Sequence, residues 1–252
     1  MSKDINMKKI MILSGAGLSA ESGISTFRDS DGLWENHEVM EVCSTQGWIA
    51  DRQNVTRFYN DRRADLESKE PNHAHKILAE LEQMYRGRVI HLTQNIDNLM
   101  EKAGAKELIH LHGTLTDLRC EACTKTFSVG YAAQEGSEVC PHCSNKRVRH
   151  NVVMFGEAAP QYSHIHQAVK ECSLFIAIGT SGAVIDIIPL VKEFKHSIII
   201  DPKRQETKSM YDPHTYIDEY FEHFIEKKAG VAMDDMLAII KEHMEDKFFP
   251  TN

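Results

Sequence analysis

Two cysteine pairs, Cys120-x2-Cys123 and Cys140-x2-Cys143, stand sixteen residues apart, with Pro141 inside the second. Two such knuckles can bring four thiolates to one tetrahedral Zn2+. With every coordination position filled by protein, no place remains for a reactive water, so the expected role is structural. The stretch LSGAGLSAESGISTFR, residues 13 to 28, offers different chemistry. Gly15, Gly17 and Ala20 fit G-x-G-x-x-[GA] after the apolar run KKIMIL. In that motif the first glycine allows a tight turn and the second lets the backbone approach a pyrophosphate. The small third residue lets a helix pack on the strand, with its first N–H groups facing the anion. The same spacing also serves as a plain tight turn in any α/β protein. Among fourteen histidines, His112 stands apart, because it closes the apolar run LIHLH and precedes Gly113. That is the carboxyl edge at which α/β sheets bind ligands, and an imidazole there suits acid–base work near neutral pH.

The elements that must position these groups follow from apolar periodicity. Short apolar runs recur at 8–13, 88–93, 108–112, 174–180 and 197–201, with helix-like segments between them, which is the rhythm of a parallel sheet. Residues 72–85 place Ile77, Leu78, Leu81 and Met84 on one helical face, and residues 231–245 do the same with Met233, Met236, Leu237 and Ile240. Two stretches interrupt the alternation, a polar helix-like one at 35–71 and a Cys- and Gly-rich one at 117–153. The expected fold is α/β. A Rossmann-like parallel sheet is built from 1–34, 72–116 and 154–252, and a smaller domain combines a helical module (35–71) with a zinc ribbon (117–153).

A chain of 252 residues has ample core potential, and its net charge of -8 disfavours a nucleic-acid groove while leaving attraction to a lysine-rich peptide open. Neither a secretory leader nor 18 uninterrupted apolar residues is evident, so a cytoplasmic protein without membrane spans is expected. There the six cysteines stay reduced, which favours metal over disulfide. A dinucleotide-binding dehydrogenase would carry, about 20 positions after its glycine loop, a second strand ending in an acidic residue. Here the window reads STFRDSDGLWENHEVM, polar and without alternation, so Glu35 has no strand to sit on.

Taken together, GAGLSAESGISTFR, TQNID (93–97), HG (112–113), the cysteine pairs, VVMFGE (152–157) and GTSG (179–182) resemble the sirtuin family of NAD-dependent protein lysine deacylases. The motifs run in order from about residue 8 to residue 240. The resemblance implies that NAD and an acylated lysine meet in a cleft between the two domains. There the acyl oxygen attacks the nicotinamide ribose, and His112 deprotonates a ribose hydroxyl that attacks the resulting alkylamidate. Water completes the release of lysine, nicotinamide and O-acyl-ADP-ribose. By the same resemblance Asn95 shares the catalytic role with His112. The cofactor would be held by Gly15, Ala16, Gly17, Ser19, Phe27, Arg28, Gln94, Asn95, Ile96, Asp97, Gly179, Thr180, Ser181, Asp201 and Ala229. Gly179, Thr180 and Ser181 also fit a capped helix start. Val153, Phe155 and Gly156 belong to a backbone stretch that would receive an extended acyl-lysine peptide as an added strand. A monomer is expected.

In the desuccinylase branch of that family a Y-x-x-R pair binds the distal carboxylate of succinyl- or malonyl-lysine. Tyr59 and Arg62 in RFYNDRR match it, three apart on one helical face. A guanidinium and a phenol supply charge-assisted donors that a neutral acetyl group would not use. On spacing alone the pair also reads as a surface arginine beside a packed tyrosine. Arg63 is expected to point elsewhere. Several positions depart from the branch: Cys43 for an alanine sixteen residues before Tyr59, Asp186 and Ile187 after the GTSG motif, Asp201 for asparagine, and His150 for proline. The expected activity is removal of succinyl, malonyl and acetyl groups from protein lysines. The alternatives are an NAD glycohydrolase or ADP-ribosyltransferase, and a non-catalytic binding module.

Overall fold

The computed structural model describes residues 8–26, 33–34, 37–207 and 215–245. In chain order the strands are β1 (Ile10–Ser14), β2 (Leu33–Trp34), β3 (His37–Glu38), β4 (Val89–Thr93), β5 (Leu108–His110), β6 (Gly113–Cys120), β7 (Thr126–Ser128), β8 (Val148–Val152), β9 (Leu174–Ile178), β10 (His196–Ile200) and β11 (His223–Ile225). The α-helices are α1 (Val39–Val42), α2 (Thr45–Ala50), α3 (Arg52–Glu67), α4 (His73–Met84), α5 (Leu99–Lys102), α6 (Ser163–Glu171), α7 (Ile188–Val191) and α8 (Met233–Met244).

Six strands form one parallel sheet in the order β11-β10-β9-β1-β4-β5. Continuous apolar runs form its centre because both faces are covered. Ile10 and Ile12 pack with Leu78 and Leu81 of α4 and with Met233, Met236 and Ile240 of α8. Met11 and Leu13 point the other way, against Ile165 and Ala168 of α6 and Val191 of α7. The period-2 geometry of a strand thus divides one sequence run between two cores. Of the face expected on α4, Leu78 and Leu81 are buried but Met84, the last residue of the helix, is 60 % exposed.

Register decides where ligands can bind. Ser14 lies beside Thr93 and Ile178, Thr93 beside His110, and Ile200 beside both Ile178 and Ile225. The turns that follow these strands therefore leave from one edge, the carboxyl edge of a sheet whose order reverses on either side of β1. Among the described residues of the window directly after the glycine turn, none belongs to the parallel sheet. The described part of that window carries the short antiparallel pair β2-β3, outside the large sheet, and the start of α1; Glu35 lies outside the described residues.

A separate antiparallel sheet, β7-β6-β8, carries the cysteine knuckles. The helices α1 to α3 close a third core with it, in which Val42, Cys43, Trp48, Phe58 and Tyr59 meet Leu115, Val152 and Met154. Arg63 is fully buried there, donating from Nε to the Leu115 carbonyl at 2.6 Å and from a terminal nitrogen to the Ala132 carbonyl at 3.2 Å. It pins α3 to the antiparallel sheet and, as expected, points away from Arg62. No helix among the described residues is long and apolar enough to cross a membrane.

Candidate active site and zinc centre

The four cysteine sulfurs lie within 4.8 Å of one another. Cys120 and Cys143 are 3.6 Å apart, and Cys123 and Cys140 3.7 Å. A tetrahedron with Zn–S bonds of about 2.3 Å has edges of about 3.8 Å, so the set fits zinc. The two knuckles are built alike. Thr124 N–H donates to the Cys120 carbonyl and Ser144 N–H to the Cys140 carbonyl, at 3.0 and 2.9 Å. Both residues take left-handed backbone, with φ of 62° and 57°. For residues with a Cβ that conformation costs about 1 kcal/mol or more each, and here it turns four sulfurs inward.

The glycine segment departs from the motif's usual geometry. Two short 3-10 turns, Ala16–Leu18 and Ala20–Ser22, follow β1 in place of an α-helix, and Ala20 is exposed, so no helix packs over it. Gly15 N–H donates to the Ile178 carbonyl and Gly17 N–H to the Gly179 carbonyl, both at 2.9 Å. The two loops touch backbone to backbone. A Cβ on Gly17 would lie 2.6 Å from Gly179 Cα, and Gly179 itself has φ of +60°. The glycines are needed for this contact between the turns after β1 and β9, a requirement the motif alone does not reveal. No helix begins at Gly179–Ser181 either; the next, α7, starts at Ile188, with Asp186 accepting its first N–H at 3.0 Å. Ile187 packs in the core beside α7.

Between the large sheet and the small module lies a cavity of about 400 Å3. Ala16, Ser19, Gln94, Asn95, Ile96, Asp97, His112, Tyr59, Arg62, Val153, Phe155 and Gly156 all line it. Its polar wall is one connected network. Asn95 Nδ2 donates to Ser19 Oγ at 3.1 Å, and Ser19 Oγ donates to Asp97 at 2.8 Å. Asp97 also accepts the Leu99 N–H at 3.1 Å, and burial raises its pKa against these bonds. Gln94 Nε2 donates to Thr180 Oγ1 at 2.9 Å, which draws Thr180 into the network although it does not line the cavity. Gly15, Gly17, Gly179, Ser181, Asp201 and Ala229 are not in the cavity wall either. Asp201 follows β10 and is buried, accepting the Lys203 N–H at 3.1 Å. Buried Ala229 sits next to Gly230, whose N–H donates to Glu21 at 2.7 Å. Phe27 and Arg28 lie outside the described residues.

His112 stands two residues beyond β5, its Nδ1 2.9 Å from the Gln94 carbonyl and its Nε2 2.9 Å from Tyr162 Oη. Burial lowers its pKa, and the Gln94 bond opposes that shift. Tyr162 has no counterpart among the sequence expectations. It lies fifty residues on, in the plain polar stretch EAAPQY, and only the tertiary contact reveals it.

The part of the cavity wall formed by Tyr59 and Arg62 is asymmetric. Tyr59 is 1 % exposed, stacked on His150 with ring centroids 4.0 Å apart, and donates to Cys43 Sγ at 3.5 Å. Burial pushes the Cys43 thiol up to about 11 and raises the Tyr59 hydroxyl as well, so both are neutral. Arg62 is half-buried, its guanidinium 5.3 Å from the Phe58 ring centroid. The backbone of VVMFGE is less available than expected. The N–H groups of Val153, Met154 and Phe155 donate to the His112 carbonyl, Glu157 and the Cys43 carbonyl at 2.9, 3.1 and 2.8 Å. An added strand would therefore have to use other groups of this stretch, because these three amides are already engaged, two with the His112 and Cys43 carbonyls and one with Glu157 of the same stretch.

A profile of the Sir2 family matches residues 15–186, and the chain belongs to that family. It is 42 % identical over 240 residues to an NAD-dependent protein deacylase of Campylobacter jejuni subsp. jejuni serotype O:2, covering 95 % of this chain and 99 % of the relative. Among solved structures, a mutant Sir2 homologue in complex with ADP-ribose superimposes with a TM-score of 0.80 at 30 % identity, over 99 % of this chain and 100 % of the other. A Sir2 homologue in complex with NAD gives 0.77 at 32 %, over 94 % and 91 %.

Proposed function

We propose that this chain is an NAD-dependent protein lysine deacylase that removes succinyl and malonyl as well as acetyl groups. One observation carries the reading. His112, Asn95, Asp97 and Arg62 line one cavity, which supports reading them as a base, a cofactor wall and an acyl clamp that act in a common space. NAD, when bound, supplies an electrophilic ribose carbon. The chain's part is to hold and to move protons. Nδ1–H of His112 is fixed by the Gln94 carbonyl, which leaves Nε2 as the basic atom. Lowered by burial, His112 is neutral at physiological pH and ready to accept a proton from a ribose hydroxyl. Asn95 and Asp97, fixed through Ser19, would orient the nicotinamide end, with Ala16, Gln94, Ile96 and the Gly179–Ser181 turn along the rest of the cofactor.

The acyl preference rests on Arg62 more than on Tyr59, whose hydroxyl already donates to Cys43. Incubation with NAD and succinylated or acetylated peptides, followed by mass spectrometry, tests the activity; no NAD-dependent loss of either group would refute it. Arg62→Met is expected to reduce desuccinylation about 10- to 100-fold, the value of a hydrogen bond to a charged group, and deacetylation by less than about threefold. Equal losses on both substrates would remove Arg62 from the clamp.

A further inference from the structure

The atom that the deacylase reading needs as its base already has a partner. A carbonyl oxygen only accepts, so the contact between His112 Nδ1 and the Gln94 carbonyl assigns the ring proton to Nδ1 and the lone pair to Nε2. Tyr162 Oη lies 2.9 Å from that Nε2, with ring centroids 5.9 Å apart, so the phenol donates to it. Tyr162 ends the 3-10 turn Pro160–Tyr162, directly after the loop that closes the cavity at Gly156 and just before α6. Its side chain lines the cavity together with His112. The other charged groups of the wall have partners of their own. Asp97 accepts from Ser19 and the Leu99 amide, Glu157 pairs with Arg149 and Arg119, Asp65 pairs with Lys69, and Arg62 lies by Phe58.

We propose that Tyr162 is a positioning residue that stands in for the ribose hydroxyl. Its O–H keeps the imidazole of His112 in the tautomer and orientation the reaction requires, and it must give up Nε2 when the ribose arrives. The proposal rests on the deacylase reading and adds to it a gate on the base. A proton passed through the phenol to His112 is the competing arrangement. The two differ in whether the hydroxyl helps or hinders turnover.

Tyr162→Phe keeps the ring and removes only the hydroxyl. A donor to the unprotonated ring favours the neutral form, so its loss raises the pKa of His112. The expected rise is up to about one pH unit, corresponding to the twofold to tenfold worth of one neutral hydrogen bond. This is read by NMR titration of the imidazole, assigned with His112→Gln. Calorimetry should show NAD binding about twofold to tenfold tighter in the variant. In kinetics, the acid limb of kcat/KM, which reports the free enzyme, shifts to higher pH, while the limb of kcat, which reports the complex, keeps its position. An unmoved His112 titration or unchanged NAD affinity would overturn the proposal, and so would a tenfold or greater fall in kcat, which would assign the proton path to the phenol. Absence of deacylation by the wild-type protein would instead overturn the function proposed above. The titration and the calorimetry judge Tyr162 without reference to turnover.

Discussion

Replacing His112 by alanine is expected to lower NAD-dependent deacylation about 100- to 10,000-fold, the usual worth of a positioned general base, with little change in thermal stability. The ring is partly exposed to the cavity and its two hydrogen bonds, to the Gln94 carbonyl and Tyr162, each hold one contact rather than a core. A loss under about tenfold would separate the imidazole from the chemistry. The pH dependence follows from the same environment. As the proposed base His112 acts in its neutral form, and burial lowers its pKa below that of an exposed histidine, so activity is expected to be retained as pH falls past the ordinary histidine value and to be lost only when the ring protonates. A wild-type profile whose acid limb lies above the ordinary value would contradict this. Neighbouring His110 behaves in the opposite way. Burial disfavours its charge, but the 2.7 Å contact with Glu101 and the bond to the Asn95 carbonyl outweigh burial and raise its pKa. Two histidines separated by a single residue are thus poised for different states, and only the one at 112 faces the cavity.

Removing zinc should have the largest effect on stability. The apolar core beneath the knuckles consists of Cys120, Cys140 and Val148 with Cys123 and Phe127 against them, too little to hold two turns with left-handed residues in place. Structural zinc sites of this kind supply folding free energy directly, about 10–16 kcal/mol in isolated fingers. Cys140→Ser, or treatment with a strong chelator, is expected to release the metal and lower the melting temperature by roughly 10 °C or more, at about 2–4 °C per kcal/mol for a chain of this size. Proteolysis should then cut first between 121 and 147. The parallel sheet, with its separate cores on both faces, should keep its far-ultraviolet signature. Purified protein without zinc and with an unaltered melting curve would refute the assignment. The consequence reaches the cavity, because β6 and β8 frame its floor through Leu115 and Val152.

Much of this was legible in the chain. Five apolar runs predicted five of the six strands of the parallel sheet; the sixth, His223–Ile225, escaped because its two apolar residues, Phe224 and Ile225, stand between Glu222-His223 and Glu226-Lys227 and form no apolar run. The α4 and α8 segments were evident from their spacing, and the N-cap of α4 is Asn72, whose side chain accepts the His75 N–H. The glycine motif was legible as a turn but not in its mechanics. G-x-G-x-x-[GA] describes which residues tolerate close approach, not what approaches them, and here the approaching backbone is the Gly179 turn. The use of the VVMFGE amides is likewise set by contacts the motif does not name: Val153 and Phe155 donate to the carbonyls of His112 and Cys43, remote in sequence, and Met154 to Glu157 within the same stretch.

Residue types and short-range spacing alone determined the zinc ligands, the parallel-sheet class and the candidate base. Each rests on a local rule: two residues between paired thiolates, alternation along a strand, an imidazole at a strand's end. Tertiary structure decided everything that depends on register and on contacts between distant segments. It set Ser14, Thr93 and His110 side by side, directed Arg63 into the core while Arg62 lines the cavity, and brought Tyr162 to Nε2 of His112. Hydrogen bonds and close packing act over a few ångströms of space, whatever the separation along the chain, so a partner fifty residues away carries no mark in the sequence around either residue.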